Sequence, residues 1–330
     1  MRTVLKVGFA ALTAAGALAL MAAPAGAASK TVAKPGPAAC DASCLEGFVD
    51  QYMAALAARD PSKLPAAKTI RYTENTRPMP LGYGLWGTIT KVGPYKHYFT
   101  DPKTGEVGYL GNVEENGSPA LFALRLKVTG GKIAEAETIV VRKQDMGPFL
   151  NTNRTLKPIW TEITPPAERL PRAELVRITN LYFEALEKSN GEVAPFDDDC
   201  VRVENGMQTV NNPPPPPSAK PDAMGGMGSM TCAKQIDTKI FSYITRIHPR
   251  RYVAVDEPHQ AVLSIVMFHH NGQVTEVTGP DGVKRPESAA ALRPFDVVIF
   301  EAFRIKDKKI REVEAVMTSL PYMSDTGWDK

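Results

Sequence analysis

Apolar side chains at Leu45, Phe48, Val49, Tyr52, Met53 and Leu56 recur at helical spacing, so the first regular element reads as an amphipathic helix. Pro61 and Pro65 break it, with room for a short second helix around Lys63. From Thr69 the pattern becomes that of strands. The segment 70–73 is rich in β-forming residues and 107–113 partly alternates. Residues 121–128 and 133–142 predict a hairpin around Gly130-Gly131. Residues 144–171 carry Pro148, Pro158, Pro165, Pro166 and Pro171 without periodicity, and read as an inter-domain linker. Phe149, Ile159, Trp160 and Ile163 need burial, so part of this linker is expected to be ordered. A second helix begins near Arg172, with strands predicted at 201–203, 251–255, 261–269, 296–305 and 310–318.

The pattern occurs twice. Residues 48–56 match residues 178–186 at an offset of 130, with Tyr52 on Tyr182 and Leu56 on Leu186. Glu74-Asn75 returns at Glu204-Asn205 with the same offset, while 128–138 resembles 305–315 at an offset of 177. The chain therefore reads as one module used twice, with 47 extra residues in the second copy (177 minus 130). Part of the excess is an inserted loop over 211–232, where Pro213 to Pro217 precede Met224, Met227 and Met230 among glycines.

The helix over 48–60, the strand Arg71-Tyr72-Thr73-Glu74-Asn75 and the hairpin Gly130-Gly131-Lys132-Ile133 resemble the SnoaL-like members of the nuclear transport factor two-like superfamily. The start Cys-x-x-x-Cys-Leu and the Tyr-Thr-Glu-Asn strand are also similar to an uncharacterised family. The resemblance implies an α+β fold of two tandem cone-like domains, each with N-terminal helices packed on a curved antiparallel sheet. Their expected spans are 40–143 and 172–330, joined by the linker 144–171. In that superfamily the cone encloses a mostly apolar pocket. A carboxylate or histidine there serves as general base, and Tyr, Asn or Asp donates hydrogen bonds to a developing oxyanion. Other members are non-catalytic adaptors. Relatives often dimerise through the open sheet face, so the resemblance implies either a homodimer or an internal pseudo-dimer.

Arg2 and Lys6, the apolar run 7–23 and Ala25-Gly26-Ala27 read as an export signal over 1–27, followed by a flexible leader over 28–39. This predicts a periplasmic or secreted protein with no stable membrane anchor. The net charge is +3, and about +1 once Arg2 and Lys6 are removed (3 minus 2), which gives no electrostatic case for nucleic acid. Four cysteines suit an oxidising compartment and allow three pairings. Cys40 with Cys44, one helical turn apart, and Cys200 with Cys232, bracketing the inserted loop, are the favoured bridges; free thiols or crossed pairing are the alternatives.

Tyr72 and Glu74 lie two apart on a strand and share a face, so they are the leading acid–base candidates of the first copy. His97 is a second candidate base. Asn75, Trp86 and Tyr98 are candidate substrate contacts. The alternative for Glu74-Asn75 is a strand end whose polar side chains hold the following turn. In the second copy Asp256 and His269 are candidate catalysts, with Glu204, Asn205 and His248 as candidate substrate contacts. One of His269 and His270 faces inward and the other outward, and both serve equally well to cap the turn at Asn271-Gly272. A metal site from His248, His269 and Asp256 is not enforced by their spacing. The methionines at 224, 227 and 230 suit Cu(I), or belong simply to a low-complexity insertion. No phosphate loop, serine elbow or dinucleotide fingerprint occurs.

These residues predict an exported lyase or isomerase that needs no cofactor and acts on a hydrophobic, aromatic small molecule by proton abstraction. A binding protein for an apolar ligand or partner, and a copper-binding protein using the methionine loop, are the alternatives.

Overall fold

The computed structural model describes residues 40–146, 150–213, 227–278, 283–287 and 292–328. The expected export signal and leader, Phe149 and Met224 lie outside the described residues. No helix among the described residues is long and apolar enough to cross a membrane.

The first helix, α1 (Ala42–Ala57), starts where the Asp41 side chain accepts the Cys44 amide at 2.9 Å. The Cys40–Cys44 bridge spans this first turn. The helix buries Leu45, Val49, Tyr52 and Leu56, the face that its sequence spacing marked out. A 3₁₀ turn over Pro61–Lys63 replaces the short helix expected near Lys63. Six strands follow: β1 (Ala66–Glu74), β2 (Arg77–Pro78), β3 (Ile89–Asp101), β4 (Glu106–Glu115), β5 (Ser118–Thr129) and β6 (Lys132–Val141). The short helix α2 (Leu85–Thr88) precedes β3, and α3 (Lys143–Met146) follows β6. The second half repeats the series. Helix α4 (Arg172–Lys188) leads into β7 (Phe196–Glu204), β8 (Met207–Gln208), α5 (Cys232–Asp237), β9 (Arg246–Asp256) and β10 (Ala261–His270). A small hairpin of β11 (Glu276–Thr278) and β12 (Lys284–Pro286) precedes β13 (Phe295–Lys306) and β14 (Lys309–Pro321).

The fold is α+β, with two six-stranded sheets of the same order: β2-β1-β6-β5-β4-β3 and β8-β7-β14-β13-β10-β9. Each contains one parallel pair within an otherwise antiparallel arrangement, β1 with β6 and β7 with β14. The repeated Glu-Asn motif ends these parallel pairs. Asn75 and Asn205 both have φ of 45°, which asparagine tolerates better than most residues. The Asn75 amide donates to the Thr138 carbonyl at 2.9 Å. Its side chain receives Val140 N–H at 2.8 Å and donates to Val140 O at 3.1 Å. Asn205 does the same with Ala315 and with both backbone groups of Met317. Each asparagine thus extends the ladder after its own strand has turned away. The strand-end alternative describes both, with their amides bonded to backbone, and Asn205 also lines the cavity of the second half.

The strands after β2 and β8 reveal how the excess length is divided. Asp101 and Asp256, at the ends of β3 and β9, are 155 apart. Of the extra residues, 25 therefore fall between β8 and β9 (155 minus 130) and 22 between β10 and β13 (177 minus 155). The second of these insertions holds β11 and β12.

Each sheet is buried on both faces. One faces its own helix, and the other faces the opposite sheet across a core that includes Phe99, Leu110, Leu263, Ile265 and Phe300. This explains the near-continuous apolar runs. Gly108 and Leu263 are equivalent positions that meet there: a Cβ on Gly108 would lie 2.0 Å from Leu263 Cδ2. The contacts are reciprocal. Asp256 accepts Thr100 N–H at 3.0 Å, and Asp101 accepts Val255 N–H at 3.2 Å. Glu137 binds Arg251 of the second half, and its counterpart Glu314 accepts the Tyr95 hydroxyl at 2.9 Å and lies 3.0 Å from His97 Nδ1. Arg154 closes the Glu314 cluster from the linker. Burial alone would raise the Glu314 carboxyl, but Arg154 and His97 outweigh it and hold it down at about 2.

Because this folded value lies below the ordinary 4.5, the stabilisation is present above pH 4.5 and is lost as pH falls toward 2. The size is on the order of 3 kcal/mol. Chemical denaturation from pH 6 to pH 2 should show this loss, and Glu314→Gln should remove much of the slope. A variant with an unchanged acid profile would contradict the assignment. A second expected outcome concerns the asparagines. Asn205→Ala removes two backbone-like bonds and leaves alanine in the left-handed region, costing about 2–4 kcal/mol by denaturant melting.

Candidate functional site

In the first half, Glu74 and Tyr72 do share a face: the Tyr72 hydroxyl donates to Glu74 Oε2 at 3.3 Å. The same oxygen accepts Leu85 N–H at 2.8 Å, and Arg142 lies 3.3 Å from the other oxygen. Glu74 is therefore a saturated ion-paired carboxylate and not a lone base among apolar strands. Trp86, only 1 % exposed, stands edge-on to Tyr52 with ring centres 5.3 Å apart and donates to its hydroxyl at 3.2 Å. It fills the interior beside Glu74. His97 is absent from this interior because the alternation of β3 turns it toward the second sheet, where it packs on Phe99 and Trp160 and meets Glu314. Tyr98 faces α1 and donates to Asp50 at 2.8 Å.

The second-half candidates also separate. Asp256 receives Thr100 N–H and Oγ1 on one oxygen and His259 on the other. Burial would raise it, but these bonds hold it below the usual carboxylate range, so it joins the halves and lacks the character of a neutral-pH base. His269 lies on the inter-sheet face, with Nδ1 2.7 Å from Asp296 and Nε2 2.7 Å from the His248 carbonyl. His248 contributes that carbonyl to His269. Among the described residues no group of three or more His, Cys, Asp or Glu is placed to hold a metal ion. The Met227 sulfur lies 3.6 Å from Thr238 Oγ1. The Cys200–Cys232 bridge ties the insertion to β7.

A cavity of about 350 Å³ opens between α4 and the second sheet. Phe241, Phe268, Phe295, Val297 and Ile299 give it an apolar wall, and Tyr182, Glu204, His270 and Glu301 give it polar groups. Period-two placement explains which residues enter. On β13, Val297, Ile299 and Phe303 face the helix-side core, which puts Glu301 there too. On β10, Val266 and Phe268 take the same face, so His270 enters the cavity and His269 does not.

Glu301 is 2 % exposed, and its Oε2 has no hydrogen-bond partner among the described residues. Burial pushes its carboxyl up to about 8, against the milder pull of the Tyr182 hydroxyl and Arg202. Burial pushes the Tyr182 hydroxyl well up. Arg202 is fully buried. Its Nε lies 3.0 Å from Glu204, and Gln235 of α5 accepts from its Nη2. His270 stacks between Phe295 at 4.0 Å and Tyr243 at 5.0 Å. Burial lowers it to about 4, so the ring is neutral near pH 7. Its Nδ1 faces the Phe295 carbonyl at 3.2 Å, which assigns the proton to Nδ1 and leaves Nε2 as an acceptor.

Sequence reasoning missed Tyr182, Arg202, His270 and Glu301 as site residues. Its signal for Glu301 was available: a lone carboxylate inside the apolar run 297–303. The equivalent position in the first half, 177 residues earlier, is Leu124.

A raised carboxyl makes the folded state hold a proton that the unfolded chain has released. Stability should therefore fall as pH rises from about 4.5 to about 8. Glu301→Gln removes this penalty, which is at most on the order of 5 kcal/mol. Urea melts at pH 5 and pH 8.5 should show the variant gaining on the parent at the higher pH; parallel behaviour at both would reject the raised value.

Comparison with known proteins adds the following. The family described as Domain of unknown function (DUF8021) matches residues 168–317, which is less than half of the chain. No curated protein matches it. Among solved structures, a de novo designed protein with curved β-sheet is 16% identical, covering 30% of this chain and 87% of its own, with a TM-score of 0.26. A protein from Sphaerobacter thermophilus is 16% identical, covering 29% of this chain and 94% of its own, with a TM-score of 0.25. An NTF2-like protein of unknown function from Cytophaga hutchinsonii ATCC 33406 is 10% identical, covering 29% and 88%, with a TM-score of 0.25.

Proposed function

We propose that the second half binds a small, largely apolar molecule and catalyses a proton transfer on it with side chains alone, as in an isomerisation or elimination. The observation that carries this reading is the unpartnered Glu301 oxygen in a cavity with an apolar wall. A carboxyl poised at about 8 exchanges protons near neutral pH, which is what a general acid–base requires. Glu301 is the acid in its neutral form, Tyr182 holds its carboxyl, and neutral His270 offers Nε2 as the acceptor. Glu204, charge-balanced by Arg202, bounds the polar end of the cavity.

The first half is a scaffold in this reading, because Trp86 occupies its interior. Two SnoaL-like modules remain the proposed origin of the halves, a reading supported by the identical strand orders. The two disulfides fit an oxidising, non-cytoplasmic compartment, and a periplasmic or secreted location is proposed on that basis together with the N-terminal sequence.

Small molecules co-purifying with the protein from its native host, identified by mass spectrometry, supply the substrate candidates. With a compound that is turned over, Glu301→Gln should lower kcat by about 10²–10⁴ while binding is largely kept. The rate of the parent should decline above pH 8 as the acid is lost. Binding without turnover in the parent would favour a ligand carrier, and unchanged turnover in Glu301→Gln would remove Glu301 from the chemistry.

A further inference from the structure

The larger insertion of the second half does more than lengthen a loop. It leaves β8, is anchored to β7 through Cys200–Cys232, forms α5, and returns to β9 through Phe241, Tyr243 and Ile244. Those last three residues line the cavity. Cys232 and Gln235 are both fully buried, so α5 is fixed to the body of the second half. The Gln235 side chain donates to the Thr209 carbonyl at 2.7 Å and to the Met227 carbonyl at 3.0 Å, and accepts from Arg202. Arg202 in turn sits 5.0 Å from the centre of the Phe241 ring. Tyr243 covers His270 with ring planes 26° apart. The first half lacks the disulfide-anchored part of this segment; carried back by the offset of 155, Phe241 falls on Trp86, which fills the first interior.

We infer that the segment running from the Cys200–Cys232 bridge to β9 is the specificity element of the cavity: Phe241 and Tyr243 form the wall that limits ligand size to compact aromatic or apolar molecules, and Gln235 is a positioning residue that holds this wall to Arg202. The inference rests on the cavity being the ligand site, as proposed above. It concerns which ligands enter and is independent of whether Glu301 moves a proton.

The physical argument is one of closure. The sheet and α4 supply one side of the cavity, and the segment leading into β9 supplies the other. Trimming an aromatic ring from the wall enlarges the space without touching Glu301, Tyr182 or Glu204. A hydrophobic wall discriminates by about 10–200-fold per missing or extra methylene-sized group, so loss of a ring should be plainly readable.

The test is calorimetric binding of two probes, 2-naphthol and the larger 2-hydroxyfluorene, to the full chain and to Phe241→Ala, Tyr243→Ala and Gln235→Leu. The parent should prefer 2-naphthol, and both alanine variants should shift the affinity ratio toward 2-hydroxyfluorene by about tenfold or more. Gln235→Leu should weaken both probes together, and Gln235→Glu, which keeps an acceptor for Arg202, should restore part of the loss. A Cys200→Ala/Cys232→Ala pair should lose probe binding, whereas Cys40→Ala/Cys44→Ala, remote from the cavity, should keep it. If the first pair fails to fold, the single aromatic variants decide the question. Ratios within about twofold of the parent in both alanine variants would overturn the specificity role. Failure of both probes to bind any of the proteins would overturn the cavity as a ligand site, a separate result from losing the wall.

Discussion

Burial of each sheet on both faces is the constraint on which the rest of the structure depends. One face serves a helix-side core and the other the opposite sheet, so the middle strands have no solvent side on which to place charge. Charged residues within them must be matched. Glu137 and Glu314 are matched across the join by Arg251 and by the Tyr95–His97–Arg154 group. Asp101 and Asp256 are matched by each other's neighbouring backbone. Breaking one such carboxylate from its partners leaves buried charge or buried donors uncompensated, which is why losing a single partner at the join is costly.

Duplication explains this reciprocity, and divergence explains its exceptions. Equivalent residues meet around the join, as Gly108 and Leu263 do, with one copy giving up its side chain so that the other fits. Inside the halves no such pressure for likeness exists. Leu124 and Glu301 occupy the same place on β5 and β13 and differ completely in chemistry. Trp86 fills one interior, while Phe241, 155 residues later, lines a hollow in the other. On the proposed reading, ligand chemistry belongs to one half and support to the other.

The helices, most strands and the doubling were legible in the sequence because they rest on periodicity and on the repeated Glu-Asn pair. Strand β3 was less so, since Gly93, Pro94 and bulges interrupt its alternation. The candidate site was read less well, for a physical reason. Strands buried on both faces hide the direction of a polar residue: His97, Asp256 and His269 are as buried or bonded as any catalytic group, yet they face the other sheet. Only tertiary packing tells the two faces apart. The parity of neighbouring apolar residues points Glu301 and His270 inward once the packing is known, whereas the sequence alone offers two equivalent choices.

The contrast among buried carboxylates bears most directly on the site. Glu314 and Asp256 are surrounded by donors that outweigh burial and keep them ionised. Their role is complete when folding is complete. Glu301 lies in the same kind of environment, two strand neighbours from well-packed apolar residues, and is treated in the opposite way. Arg202 is close enough to help it, but its formed bonds go to Glu204, Thr209 and Gln235, and its Nη1 is left without a partner as well. One carboxyl oxygen remains unsatisfied, which costs stability that leucine, the residue at the equivalent position, would not cost. Asp101 also keeps one buried oxygen without a hydrogen bond, at the join, but Glu301 lines the cavity beneath α4, and on the proposed reading its partner there is a ligand.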